Sequence, residues 1–127
     1  MTRHRLKIFF DGGCRPNPGA METAVVARGQ VNLAHGIGHG TNNDAEWLAL
    51  LAALRIAQSL GEPDFVLLGD SALVVGQANG IAKCRSEALQ THLRTFRALA
   101  GDTPVRVRHI GRAQNLAGIA LERARGG

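Results

Sequence analysis

Two short apolar runs, LKIFF at residues 6–10 and FVLL at residues 65–68, each lead into an aspartate with glycine beside it, Asp11 and Asp70. Between them lies one long stretch with the period of a helix. The runs read as buried strands, the first stopping where Gly12 and Gly13 free the backbone. On that reading both aspartates sit at strand ends. A chain so patterned must bring two carboxylates from distant segments to the margin of a sheet, and that restricts both its fold and its chemistry.

The helical stretch is TNNDAEWLALLAALRIAQSLG, in which Ala45, Leu48, Ala49, Ala52, Ala53 and Ile56 share one stripe and Gly61 with Pro63 supplies the stop. One of Asn42, Asn43 and Asp44 is expected to cap it. Glu46 would then lie in the first turn, pointing out from the helix start, where the dipole favours an acid. METAVVARG and VNLAHGIG are two further strands, joined at Gly29 and Gln30 as a hairpin. SALVVGQANG opens on a serine cap and closes at Gly80 as a short helix. SEALQTHLRTFRALAG carries Leu89, Leu93, Phe96 and Leu99 at helical spacing, TPVRVRHI alternates as a strand, and AQNLAGIALERAR forms a last helix. The order describes an α/β chain with a mixed sheet flanked by helices, whose strand ends collect side chains at one edge. Sequence order alone leaves the order of strands in the sheet open.

The 127 residues suit one domain, 1–127, and 45% hydrophobic against 20% charged residues is enough to bury a core without staples. A net charge of +5 favours a polyanionic partner, although scattered surface arginines would give the same total. Cys14 and Cys84 are far apart and outside any zinc spacing, so reduced thiols in a cytoplasmic protein fit best. The basic N-terminus carries too short an apolar run for a signal or a membrane span. With no heptads or interface stripe, a monomer is the simplest expectation.

Asp11, Glu46 and Asp70 come from three elements, each from an element end. Carboxylates are hard ligands for Mg²⁺ or Mn²⁺, and clustered acids without a cation repel one another. Two such ions about 4 Å apart can hold the attacking water and the leaving oxygen of a phosphodiester in line. Taken singly, each acid reads as a turn former or a helix-start acid. Their flanks decide otherwise. FFDGGCRPNPG, TNNDAEWLALLAAL and GDSALVVGQANG resemble, in order, the signature segments of type 1 ribonucleases H.

That resemblance implies a five-stranded mixed sheet with its first three strands antiparallel, Asp11, Glu46 and Asp70 as catalytic metal ligands for two ions, and an RNA–DNA hybrid as partner. It implies cleavage of the RNA strand. It further places Asn17, Asn42 and Asn43 against the hybrid's minor groove, where an amide can answer a ribose 2′-hydroxyl as donor or acceptor. Gly12, Cys14 and Ser71 belong to the same substrate-facing segments. Helix capping is the simpler reading of the asparagine pair.

The chain departs from the family pattern at the last helix, where a fourth carboxylate is expected after Asn-x-x-Ala. AQNLAGIALERA holds no acid there. Aligning on Ala117 puts Gly118 in that place, and aligning on Asn115 puts Ile119. Glu122, one turn beyond Gly118, reads as a surface acid rather than a replacement. The expected consequence is weakened or Mn²⁺-dependent activity, with a catalytically inactive hybrid-binding module as the alternative. His39 and His109 are loose counterparts of a family histidine, and neither receives a role. The basic insertion of longer relatives is reduced to Lys83 and Arg85, leaving affinity to dispersed arginines such as Arg15, Arg108 and Arg112.

Overall fold

The computed structural model describes residues 5–126; the first residues of the basic N-terminus, 1–4, lie outside them. Strands β1 (Leu6–Cys14), β2 (Gly19–Ala27), β3 (Gln30–Ala34) and the two-residue β4 (His39–Gly40) precede helix α1 (Asn42–Leu60). Then come β5 (Phe65–Gly69), α2 (Ala72–Ala78), α3 (Glu87–Ala100), β6 (Arg106–His109), a 3₁₀ turn (Arg112–Gln114) and α4 (Leu116–Ala124). The sheet order is β3-β2-β1-β5-β6, with β4 paired to the start of β2 off that path. The first three strands are antiparallel, as the resemblance implies, and β5 pairs with β1 and β6 with β5 in parallel, which makes the sheet mixed.

Period-two alternation divides the strands between two layers. Ile8, Phe10, Val25, Ala27, Leu67 and Val107 face α1 and its neighbours, where Trp47, Leu50 and Leu54 complete the main core. Ala24 and Val26 face α4 through Ala117 and Leu121 on the other side. Trp47 is fully buried, and its indole N–H donates to Gln77 Oε1 at 2.9 Å. Leaving that donor unpaired would cost about 1–3 kcal/mol, so the bond pins α1 against α2 and with them the segments carrying Glu46 and Ser71.

Three local expectations need correction. The first strand does not end at Asp11: β1 continues through Gly12 and Gly13 to Cys14, and only its pairing with β5 stops, at Phe9. The glycines serve close packing instead, since a Cβ on Gly12 would lie 2.2 Å from the carbonyl oxygen of Ala45 in α1. The hairpin connection is Arg28-Gly29 rather than Gly29-Gln30. Both have positive φ, 52° and 75°, as a two-residue primed turn demands, and Gln30 already pairs with Ala27. The cap of α1 is Thr41. Its hydroxyl accepts from Asp44 N at 3.2 Å while the Asp44 carboxylate accepts from Thr41 N at 3.0 Å, a reciprocal capping box. The first-turn acid is therefore Asp44, and Glu46 lies two residues deeper, past the first turn, where helix packing rather than the helix start positions it.

Candidate active site

The structure brings together the three acids picked out in the sequence. Asp11 projects from β1 just beyond its last pairing with β5, Asp70 follows β5 directly, and Glu46 reaches in from α1. One carboxylate oxygen from each lies within 4.8 Å of the others. Close approach of α1 to β1 over Gly12 makes this convergence geometrically available, because any side chain there would push the Glu46 backbone away.

Such a cluster is electrostatically unfavourable alone. Glu46 is 8% exposed, and among the described residues its Oε2 has no hydrogen-bond partner. Burial first, then its hydrogen bond to Asp11 and the charges of Asp11 and Asp70, push its pKa up to about 10. Asp11 is also raised, by burial above all and by the charge of Asp70, against the opposing hydrogen bond from Glu46. Without a cation, Glu46 holds its proton and donates to Asp11. A buried, unpartnered carboxylate oxygen facing two further carboxylates is what a small hard cation would satisfy, so these residues fit Mg²⁺ or Mn²⁺.

Asn115, which in the sequence marks only the register of the last helix, organises the site. It is fully buried, its Nδ2 donates to Asp70 Oδ2 at 2.9 Å and to the Phe10 carbonyl at 3.0 Å, and its Oδ1 caps α4 at Ala117 N. One amide thus ties α4, β1 and Asp70 together. An asparagine immediately before a helical run was a legible cap signal; its contact with an acid 45 residues away was not.

α4 also settles which residue occupies the fourth position. A Cβ at Gly118 would lie 3.5 Å from Asp11 Oδ2 and 3.7 Å from Asp70 Oδ2, so this position faces the cluster. Ile119, one residue on, is 39% exposed at the groove. Glu122 does not substitute. Its carboxylate accepts from Arg15 at 2.7 Å and from Arg125 at 3.4 Å, and Arg125 also bonds Glu22.

The acids lie in an open groove of about 710 Å³ whose walls include Gly12, Cys14, Asn42, Asn43 and Ser71. Asn42 Oδ1 accepts from Cys14 N at 3.0 Å, and Asn42 N donates to Asn17 Oδ1 at 3.0 Å. Asn17 therefore stands behind Asn42, supporting it, rather than on the groove wall. Asn43 is exposed toward the groove, and Ser71 caps α2 through Val74 N. His109 Nε2 lies 3.2 Å from the Asp70 carbonyl, whereas His39 is exposed in β4, paired with Ala20. Arg15, Arg112, Arg123 and Arg125 line the same groove, Arg15 and Arg125 being held in ion pairs with Glu122 and Glu22.

A family model described as Reverse transcriptase-like matches residues 9–123. Ribonuclease HI of Halobacterium salinarum is 37% identical over 123 residues, 92% of this chain and 62% of that protein. The chain belongs to the type 1 ribonuclease H family. The solved structure of the halobacterial RNase H1 superposes with a TM-score of 0.81 at 33% identity, covering 94% of this chain and 99% of that one. The N-terminal RNase H domain of Rv2228c from Mycobacterium tuberculosis gives a TM-score of 0.81 at 30% identity over 98% of both chains. LC11-RNase H1, isolated from compost, solved in complex with an RNA/DNA hybrid, gives 0.78 at 26% identity over 94% of this chain and 99% of that one. This chain spans 62% of the length of the halobacterial protein and 22% of full-length Rv2228c. Among the described residues, no helix is long and apolar enough to cross a membrane.

Proposed function

We propose that this domain is an endonuclease that hydrolyses the RNA strand of RNA–DNA hybrids, leaving a 3′-hydroxyl and a 5′-phosphate, with Asp11, Glu46 and Asp70 as its catalytic metal ligands. The observation that carries the reading is the convergence of those three carboxylates around the buried, unpartnered oxygen of Glu46. Bound Mg²⁺ or Mn²⁺ would supply Lewis acidity and an activated water at the scissile phosphate. The chain's own residues do the rest. Asp11 and Glu46 give up the proton they share, Asn115 holds Asp70 in orientation, and the rigid β1–α1 contact keeps the carboxylates from spreading. Along the groove, Asn42 and Asn43 are placed to meet ribose hydroxyls, with Gly12, Cys14 and Ser71 offering close backbone or small polar approach. Asn17 acts through Asn42.

The hybrid bound by the LC11 relative supports the choice of substrate. Gly118 lowers the expected rate. Three acids hold one ion firmly and a second weakly, so activity should be reduced and favour Mn²⁺. The same vacancy favours a second reading, an inactive hybrid-binding module. Affinity rests on exposed arginines and should fall with salt. We read the domain as a cytoplasmic monomer.

Strand-labelled hybrid cleavage in Mg²⁺ and in Mn²⁺, with Asp70→Asn beside the wild type, tests this directly. Cleavage confined to the ribonucleotide strand and lost in the variant supports the enzyme. Binding without turnover in either ion supports the module, and equal cleavage by both proteins removes the site.

A further inference from the structure

On the α4 side of the sheet the strand register builds rows of side chains that lead to the acids. Lys7, Val66 and Arg106 form one row across β1, β5 and β6, and Phe9, Leu68 and Arg108 form the next. Two residues further along β1 and β5 come Asp11 and Asp70. α4 packs over β1 and β2 on this face, and among the described residues no helix packs extensively across β5 and β6 there. Val66 and Leu68 are only 7% and 8% exposed, so this part of the sheet presents chiefly the exposed Lys7, Arg106 and Arg108 to water.

The charges on this strip are one-sided. Arg106 shares Asp64 with Arg5, at 3.1 Å and 3.0 Å. Among the described residues Lys7 has no carboxylate partner, and the one side-chain bond of Arg108 is to the Val107 carbonyl at 3.0 Å. Arg112, just past β6, lines the acid groove itself. From Arg112 at the groove the cations continue through Arg108 to Arg106 with Lys7, whose row lies four strand residues, roughly 13 Å at about 3.3 Å per residue, behind Asp11. The uncovered floor is two strands wide, about 10 Å between α4 and the β6 edge. That width suits one nucleic-acid strand better than a duplex. Half-buried Phe9 borders the floor as an aromatic surface for a base.

We propose that this strip carries the single-stranded extension of a hybrid substrate, its phosphates running from Arg112 over Arg108 to Lys7 and Arg106. The proposal rests on the hybrid reading of the groove for the point where the strand begins. Such a strip would let the grip of a domain with little basic insertion grow with substrate length, along a path leading away from the groove.

The test is fluorescence-anisotropy binding in EDTA of a blunt RNA–DNA hybrid and of the same hybrid with a single-stranded tail at one end or the other. The wild type is compared with a Lys7→Gln, Arg108→Gln double variant, whose thermal melt confirms folding since both residues are exposed. One tail should tighten wild-type binding and steepen its salt dependence by about 1.4 for the contacts of Lys7 and Arg108, the two cations on the strands without a carboxylate partner, at roughly 0.7 per phosphate contact. That slope makes the tail's advantage fall about sevenfold between 50 and 200 mM salt. Whatever it loses on the blunt hybrid through Arg108, the double variant should bind tailed and blunt hybrids alike, with the same salt slope for both. Tails that add nothing at either end, or a variant that keeps the full advantage, would overturn the strip while leaving the groove reading intact. Failure of the wild type to bind the blunt hybrid would overturn both. Displacement of the tail by polyglutamate as readily as by single-stranded DNA of equal charge would overturn it in favour of an acidic protein partner.

Discussion

Replacing Glu46 by glutamine should stabilise the metal-free domain and remove its response to divalent ions. The folded-state pKa of Glu46, about 10, is raised above its ordinary 4.5. The folded state therefore holds this proton where the unfolded chain has released it. Metal-free stability is intact below about pH 4.5 and declines as pH rises toward about 10. At pH 7 the gap from the ordinary value is about 2.5 units, and at about 1.4 kcal/mol per unit the ceiling is roughly 3 kcal/mol. Asp11 and Glu46 share the proton, which spreads the effect over the pair, so about 1–3 kcal/mol is the expected gain for Glu46→Gln. Urea denaturation in EDTA at pH 7–8 and again near pH 4.5 measures it. The variant should be more stable at the higher pH and equal to the wild type at the lower. Added Mn²⁺ should raise wild-type stability and leave the variant nearly unmoved, since a ligand stabilises only the fold that binds it. A gain that is the same at both pH values would show that packing, not ionisation, is responsible, and no gain at all would refute the electrostatic account of the cluster.

Three further perturbations have definite expected outcomes. Gly118→Asp places a carboxylate beside Asp11 and Asp70, and should raise Mg²⁺-supported hybrid cleavage at least about tenfold, near 1.4 kcal/mol of barrier; an unchanged rate in a folded variant would mean position 118 does not serve the ions. Asn115→Ala strips partners from Asp70, the Phe10 carbonyl and Ala117 N, and chemical denaturation should show a loss of roughly 2–4 kcal/mol. Gly12→Ala drives a methyl to 2.2 Å from the Ala45 oxygen, so a melt should reveal a destabilisation of about 3 kcal/mol or more together with weakened ion binding.

Much of this was legible along the chain, and the parts that were not share a cause. Asp11, Glu46 and Asp70 stood out because each lay in a distinctive local setting, and strand and helix periods follow from which faces are buried. The role of Gly12 was hidden because a glycine that ends a strand and one that admits a helix look alike until the helix is docked. Thr41 was passed over among adjacent Asn and Asp residues that cap equally well in isolation; its Thr-x-x-Asp spacing carried the distinguishing signal. Choosing between Gly118 and Ile119 required the rotation of α4 about its axis, which Asn115 fixes through contacts with β1 and Asp70. The shorter of the two ion pairs of Glu122 was hidden because Arg15 lies 107 residues away, whereas Arg125 is three residues on. Tertiary contacts of this separation leave no periodic trace.

The central claim is that three distant acids form one seat for divalent cations. Isothermal titration of Mn²⁺ into the wild-type domain and into Asp70→Asn, in two buffers of different ionisation enthalpy, measures it most directly. The wild type should bind with release of a proton, as Glu46 and Asp11 surrender the one they share, and the variant should bind at least about tenfold more weakly. Wild-type binding without proton release, or equal affinity in the two proteins, would contradict it.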